Sequence, residues 1–272
     1  MSLSQRLTHL AAAAAVLLSA GLAQASALYA TSFGGATSQL YTVDPTTGAV
    51  ALVGTVDAQV GDLTSLGGTT LMGVDLGSRN ALVTIDPLTG GLLSTVGITG
   101  ARGAITSIAA DPTTGKLYGN TTSGFGGDDQ LYLIDPTSGV ATLLGAIGFR
   151  DVYALGFTQG GELLGISNST NQLLSLSVLS GLGSAIGATG SNLQYDIASR
   201  PEDDLLFGLS SLDMGLKTYD TTTGAASAVG PYGVSVNLAG LAFLGSATVP
   251  EPSTLAILGL GLAGLGVTRR RR

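Results

Sequence analysis

The chain has 272 residues, a formal net charge of −7, 44% hydrophobic and 11% charged residues, and neither cysteine nor tryptophan. Six of the 11 basic residues lie between the two ends against 17 of the 18 acidic ones, which leaves the central body at −11 and excludes a phosphate backbone as its partner. The single histidine, His9, falls in the N-terminal segment, so the body lacks the means for the usual zinc sites, a thiol nucleophile or a Ser-His-Asp triad.

Met1 to His9 is a short polar start bearing Arg6. It runs into the apolar stretch Leu10 to Leu22 and then Ala23-Gln24-Ala25. A basic start, an apolar core of about 7–15 residues and a small-x-small ending are the parts of a secretory signal peptide. Residues 1–25 are therefore expected to be cleaved after Ala25, with Ala27 as the second choice, by signal peptidase. The absence of cysteine means that export brings no disulfide, and stability must come from packing.

Residues 26–247 form the expected folded domain, and they repeat. An alternating apolar strand followed by Asp-Pro-x-Thr-Gly occurs at Leu40 to Gly48 and Leu82 to Gly90, and with Ser for Thr at Leu131 to Gly139. A weaker copy is Leu216 to Gly224, and in a degenerate one, Leu173 to Gly181, Ser177 replaces the aspartate. Measured from Asp44, the markers fall at intervals of 42, 49, 42 and 43 residues. A period in the forties, together with 42 glycines, fits propeller blades of four short strands. The turn itself has a mechanism: Asp caps it through an Asx hydrogen bond, Pro presets φ, and Gly takes the left-handed residue. These aspartates are accordingly read as turn chemistry and not as catalysts.

The remaining strands follow from the same register. After each turn comes a short run ending in Gly, then an apolar segment of the type Leu63 to Leu66, then a Leu-x-Gly strand such as Leu71-Met72-Gly73. The chain opens with a second-strand segment at Leu28 and ends its body with a first-strand segment at Leu238 to Phe243. The expected fold is all-β: a five-bladed β-propeller closed by pairing of its N- and C-terminal strands. Closure removes the free edge of an open sheet.

Residues 248–272 form a third region. Val249-Pro250-Glu251-Pro252-Ser253-Thr254 precedes an almost wholly apolar stretch, Leu255 to Val267, and the terminal run Arg269, Arg270, Arg271 and Arg272. Thirteen helical residues span about 20 Å, a short transmembrane helix against a hydrocarbon core of about 30 Å. The arginines would hold its end in the cytoplasm. These parts resemble the PEP-CTERM sorting signal of Gram-negative bacteria. The resemblance implies recognition by an exosortase, a membrane-embedded cysteine protease or transpeptidase cutting near Pro250-Glu251-Pro252. It also implies transient anchoring in the inner membrane, then release to the cell surface or matrix of an exopolysaccharide-producing, biofilm-forming host. The body, Leu28 to Leu244, resembles extracellular propellers with Ile-Asp-Pro-x-Thr-Gly turns found among such proteins.

If the Leu63-type strands are innermost, the Asp-Pro-x-Thr-Gly turns share one face, and two sets of loops share the other. The loop face, expected to bind ligands over the channel, carries Asp57, Asp62, Asp75, Asp128, Asp129, Asp151 and Asp213 with Arg79, Arg102 and Arg150. Asp62, Asp151 and Asn237 are expected at equivalent places just before an inner strand, around the channel mouth. Asp62, Asp128, Asp129, Arg150 and Asp151 are the ligand-binding candidates, and no catalytic or metal residue is assigned. The expected role is non-catalytic: binding, adhesion or structure within exopolysaccharide. The alternative is a glycan-active hydrolase or lyase using Asp62 and Asp151 as its carboxylate pair. No cofactor is expected; a calcium ion at the acidic loop Gly124 to Gln130 is the one exception left open.

Overall fold

The computed structural model describes residues 25–77, 80–122, 127–190 and 193–245. The expected signal peptide, sorting motif and transmembrane helix lie outside these residues. Twenty strands occupy the described chain in order. The first three are β1 (Ala27–Ser32), β2 (Ser38–Val43) and β3 (Val50–Val56). A first complete set follows as β4 (Val60–Leu66), β5 (Thr70–Asp75), β6 (Ala81–Ile85) and β7 (Leu92–Gly97). The next is β8 (Ile105–Ala110), β9 (Leu117–Thr121), β10 (Gln130–Ile134) and β11 (Ala141–Ala146). Then come β12 (Val152–Phe157), β13 (Leu163–Ser167), β14 (Gln172–Leu176) and β15 (Gly183–Ala188). The chain closes with β16 (Gln194–Ser199), β17 (Leu206–Ser210), β18 (Gly215–Tyr219), β19 (Ala226–Pro231) and β20 (Leu238–Leu244).

These strands make five antiparallel sheets of four, and the fifth has the order β20-β1-β2-β3. The last strand thus joins the first: Leu28 faces Phe243, Ala30 faces Leu241 and Ala27 faces Leu244. The inner strands β4, β8, β12, β16 and β20 contact one another in ring order, β20 back against β4. The fold is a five-bladed propeller, sealed where the chain ends meet.

Burial falls with distance from the axis, and the composition follows. Every residue of β20 is buried, and β8, β12 and β16 are nearly so, which suits runs such as Leu-Ala-Gly-Leu-Ala-Phe-Leu with both faces against neighbouring blades. The outermost strands are largely exposed, and Leu93 in β7 is 66% accessible. Five clusters fill the spaces between blades. Leu63, Leu71, Val83 and Tyr29 belong to one, and Leu28, Phe207, Leu241 and Phe243 to another.

The repeated turns join third to fourth strands. Asp44 accepts hydrogen bonds from the Thr46 N–H at 2.8 Å and the Thr46 hydroxyl at 2.6 Å, while the Gly48 N–H donates to the Asp44 carbonyl at 2.8 Å. Asp86, Asp135 and Asp220 cap their turns in the same way. Ser177 keeps the fold of the degenerate copy with longer bonds, 3.4 Å from the Leu179 N–H and 3.3 Å from the Ser180 N–H. Asp111 to Gly115 uses the same chemistry in a different place, between first and second strands β8 and β9.

Each turn between third and fourth strands also touches the preceding blade, which explains why four of the fourth strands carry glycine at the crossing. A Cβ on Gly54 in β3 would overlap the Thr89 carbonyl of the next turn. The same crossing recurs as Gly145 with Ser180, Gly187 with Thr223 and Gly230 with Thr47; at the remaining latch Val96 takes the equivalent position, and it is a Cβ on the turn residue Gly139 that would overlap the Gly97 carbonyl.

Both chain ends leave on one face. The Ser26 N–H and hydroxyl donate to the Glu202 carboxylate at 2.5 and 2.9 Å, and the Gly245 N–H donates to the Gly68 carbonyl at 2.7 Å. Glu202 and Gly68 sit in turns between first and second strands, so the tail begins beside the axis on the turn face.

Candidate functional site

The inner edge of each first strand has no strand beside it, so its N–H groups point at the axis and need acceptors. Two carboxylates supply them for four of the five first strands. Asp62 Oδ1 accepts from the Leu63 N–H at 2.6 Å, and its Oδ2 accepts from the Ile108 N–H of the next blade at 2.9 Å. Asp196 Oδ1 accepts from the Ile197 N–H at 2.7 Å. Its Oδ2 accepts from the Leu241 N–H at 2.5 Å and, at 3.4 Å, from the Leu63 N–H. Both side chains are wholly buried and hydrogen-bonded to each other.

Two carboxylates in contact require a proton between them. Burial pushes Asp62 up to about 7, against the pull of its hydrogen-bond donors. Burial, and then the charge of Asp62, raises Asp196 well above the usual carboxylate range. Asp196 therefore holds the proton and Asp62 takes it as acceptor. The four N–H groups aimed at the pair favour negative charge, so the same lining opposes a cation.

The register accounts for this placement. Ring positions equivalent to Asp62 are Ser107, Ala154, Asp196 and Gly240, each just before the residue opposite the Leu-x-Gly glycine or its counterpart, Ala30. Asp151 and Asn237 immediately precede β12 and β20, whereas Asp62 lies within β4. The expected equivalence of these three therefore does not hold, because the inner strand begins at Val60 and not at Leu63. Asp196 is not among the residues that the sequence singles out. Aligning Gly61-Asp62-Leu63 with Tyr195-Asp196-Ile197 on the second-strand glycines Gly73 and Gly208 would have found it.

The other candidates scatter. Asp129 is buried and accepts from the Val152 N–H at 2.7 Å, tying its loop to the start of β12. Asp128 and Arg150 are exposed. The Arg150 carbonyl accepts from the Ser167 and Ser169 hydroxyls at 2.7 and 3.0 Å. Asp151 is half-buried with a left-handed backbone, φ 52°. Asp213 pairs with Lys217, and Asp75 accepts from the Gly77 N–H at 2.9 Å. Arg79 and Gly124 to Gly126 of the acidic loop lie outside the described residues.

The two mouths of the channel differ. A cavity of about 250 Å³ opens on the turn face, the face opposite the expected one, with Leu63, Leu155, Ile197 and Leu241 at its floor and Gly245 at its lip; no charged side chain lines it. On the loop face, aromatic rings gather. Phe33 follows β1, and Tyr153 and Tyr195 are the second residues of β12 and β16. The Phe33 and Tyr195 rings stack with centroids 6.2 Å apart, and Tyr153 meets Tyr195 edge-on at 6.5 Å.

Comparison with known proteins agrees with this architecture. No curated protein matches the sequence. Among solved structures, a chain of a nidogen/laminin complex superposes with a TM-score of 0.50 at 12% identity, covering 81% of this chain and 86% of that one, a likeness of fold alone. Residues 248–272 match the PEP-CTERM protein-sorting motif: the chain is an exported five-bladed propeller whose C-terminus carries the signal for processing by an exosortase.

Proposed function

We propose that the propeller is a non-catalytic binding or adhesive component of the exopolysaccharide matrix, presented at the cell surface of a Gram-negative host. The observation that carries this reading is the position of the chain ends. Ser26 and Gly245 both leave on the turn face, beside the axis. From Gly245 to Leu255, where the apolar stretch begins, there are ten residues, at most about 35 Å extended. Reaching the far face around the disc takes about 20 Å of radius and about 20 Å of strand length, more than that tether allows. While anchored, the body holds its loop face outward, on the side away from Ser26 and Gly245.

The lack of turnover is supported by the sealing of the axial carboxyl pair. A hydrolase of this fold would need two carboxylates reaching the scissile bond, whereas Asp62 and Asp196 are wholly buried and engaged by backbone N–H groups. The test uses the body trimmed to Ser26–Ala247, which keeps all twenty strands. It is mixed with the host's purified exopolysaccharide, and both sedimentation with the polymer and release of reducing ends are measured. Retention without new reducing ends is expected. Reducing ends or unsaturated products accumulating with time would replace this reading with the hydrolase or lyase, and no retention would remove it.

A further inference from the structure

We infer that Phe33, Tyr153 and Tyr195 form a stacking site for a neutral hexopyranose unit, which rests on the matrix-binding reading above and places its contact at the loop-face mouth of the channel. The chain has eight tyrosines and six phenylalanines. Every other described aromatic belongs to one of the five inter-blade cores or packs against one. These three do not. They come from three successive blades, they touch one another, and they stay accessible: Phe33 is 38% exposed, and Tyr153 and Tyr195 are half-buried. Folding does not require them there, since the equivalent places in the other inner strands hold Gly61, Thr106 and Ala239.

The occupant follows from the chemistry of the patch. Ring faces offer an apolar surface, while the tyrosine hydroxyls and the exposed Asn237, whose carbonyl accepts from the Phe33 N–H at 2.8 Å, offer polar groups beside it. A pyranose has the same division, with flat C–H faces and a rim of hydroxyls. A body at −11 repels polyanions, so a neutral sugar is selected over a uronic acid. The site lies on the face turned away from both chain ends, where a polymer can approach.

The test measures binding of the Ser26–Ala247 body to the host's purified exopolysaccharide, to neutral hexasaccharides and to a uronic-acid hexasaccharide. Tyrosine fluorescence serves as the probe, since no tryptophan interferes. Tyr195→Ala, which removes the ring both others touch, should weaken binding about tenfold, the equivalent of about 1.4 kcal/mol. Phe33→Ala should weaken it about threefold on the same scale. Tyr195→Phe, which keeps the ring, should bind within about twofold of the parent and, by folding normally, shows that the position tolerates change. Parent-like affinity in both alanine variants would overturn the site while leaving matrix binding intact. Tighter binding of the uronic acid, or equal competition by a proline-rich peptide, would overturn the ligand class. Failure of the parent body to bind any of these probes would overturn the site and the matrix reading together.

Discussion

The axial carboxyl pair makes stability depend on pH in an unusual sense. Asp62 and Asp196 have raised pKa values in the folded protein, so the fold binds more protons than the unfolded chain above the ordinary carboxylate value of 3.8. Their contribution is fully present below that value and is lost as pH rises through the folded value, about 7 for Asp62. Each proton that the folded chain keeps and the unfolded chain has lost is worth about 1.4 kcal/mol per pH unit, so stability should fall with at least about that slope as the pH rises above about 4. The window is clean because His9, the only histidine, lies outside the trimmed body. The turn aspartates Asp44, Asp86, Asp135 and Asp220 are shifted the other way by their hydrogen bonds, and they weaken the fold only as pH drops below the ordinary carboxylate value. Urea denaturation followed by far-UV circular dichroism at pH 4.5, 5.5 and 6.5 measures the slope. Asp196→Asn, which removes the shared proton, should flatten it, at a cost of about 1–3 kcal/mol at pH 4.5 because an amide N–H₂ then faces a backbone N–H. A parent protein equally stable or more stable at pH 6.5, or a variant with an unchanged slope, would refute the proton-sharing pair.

Three further outcomes follow from the packing and turns. Gly54→Ala forces a methyl into the Thr89 carbonyl and should cost about 1–3 kcal/mol in urea titrations, whereas Gly97→Ala at the neighbouring latch, whose added Cβ meets nothing within 4 Å, should cost about 1 kcal/mol or less. Replacing Ser177 by Asp restores short turn bonds in the degenerate copy and should stabilise by about 0.5–1.5 kcal/mol; a loss of stability in thermal melts would contradict the capping account. A body starting at Gln39 lacks β1 and leaves β20 without its partner, so it should be aggregated or unfolded by gel filtration and circular dichroism, and a monodisperse folded product would disprove closure by the chain ends.

What is legible in the sequence is whatever the repeat imposes five times. The Asp-Pro-x-Thr-Gly turns, the glycine after each outer strand and the alternating segments share one register, so a period in the forties is enough to place the strands and predict the ring. The joining of Leu28 to Phe243 follows from counting strand types, and the sorting motif from its three parts. The functional features are the places where the repeats differ, and periodicity is silent there. Asp62 looks like a residue of the channel mouth because the apolar run that marks the inner strand begins only at Leu63, which leaves Asp62 at the end of the preceding loop. Its burial depends on a strand that starts three residues earlier, at Val60, than the apolar run suggests. Phe33, Tyr153 and Tyr195 are far apart in sequence and belong to unlike positions, a loop and two strand starts. Only the circular arrangement brings them together.

The unequal ring positions Asp62, Ser107, Ala154, Asp196 and Gly240 also have a common cause. Five inner edges present N–H groups to a narrow axis, and the axis cannot hold five carboxylates, since each added anion raises the cost of the others. Two serve four of the five edges, because each reaches its own blade and the next: Asp62 serves Leu63 and Ile108, and Asp196 serves Ile197 and Leu241, while the ring position of the remaining blade is Ala154. Space forbids a third beside them at blade five. A Cβ on Gly240 would collide with the Thr31 hydroxyl and the Leu63 side chain. Once Asp62 has ionised, above about pH 7, sharing the proton of Asp196 leaves the pair with a single net charge held by four dipoles. The buried acid pair is thereby engaged in tying neighbouring inner strands together across the axis, and binding is left to the surface above it.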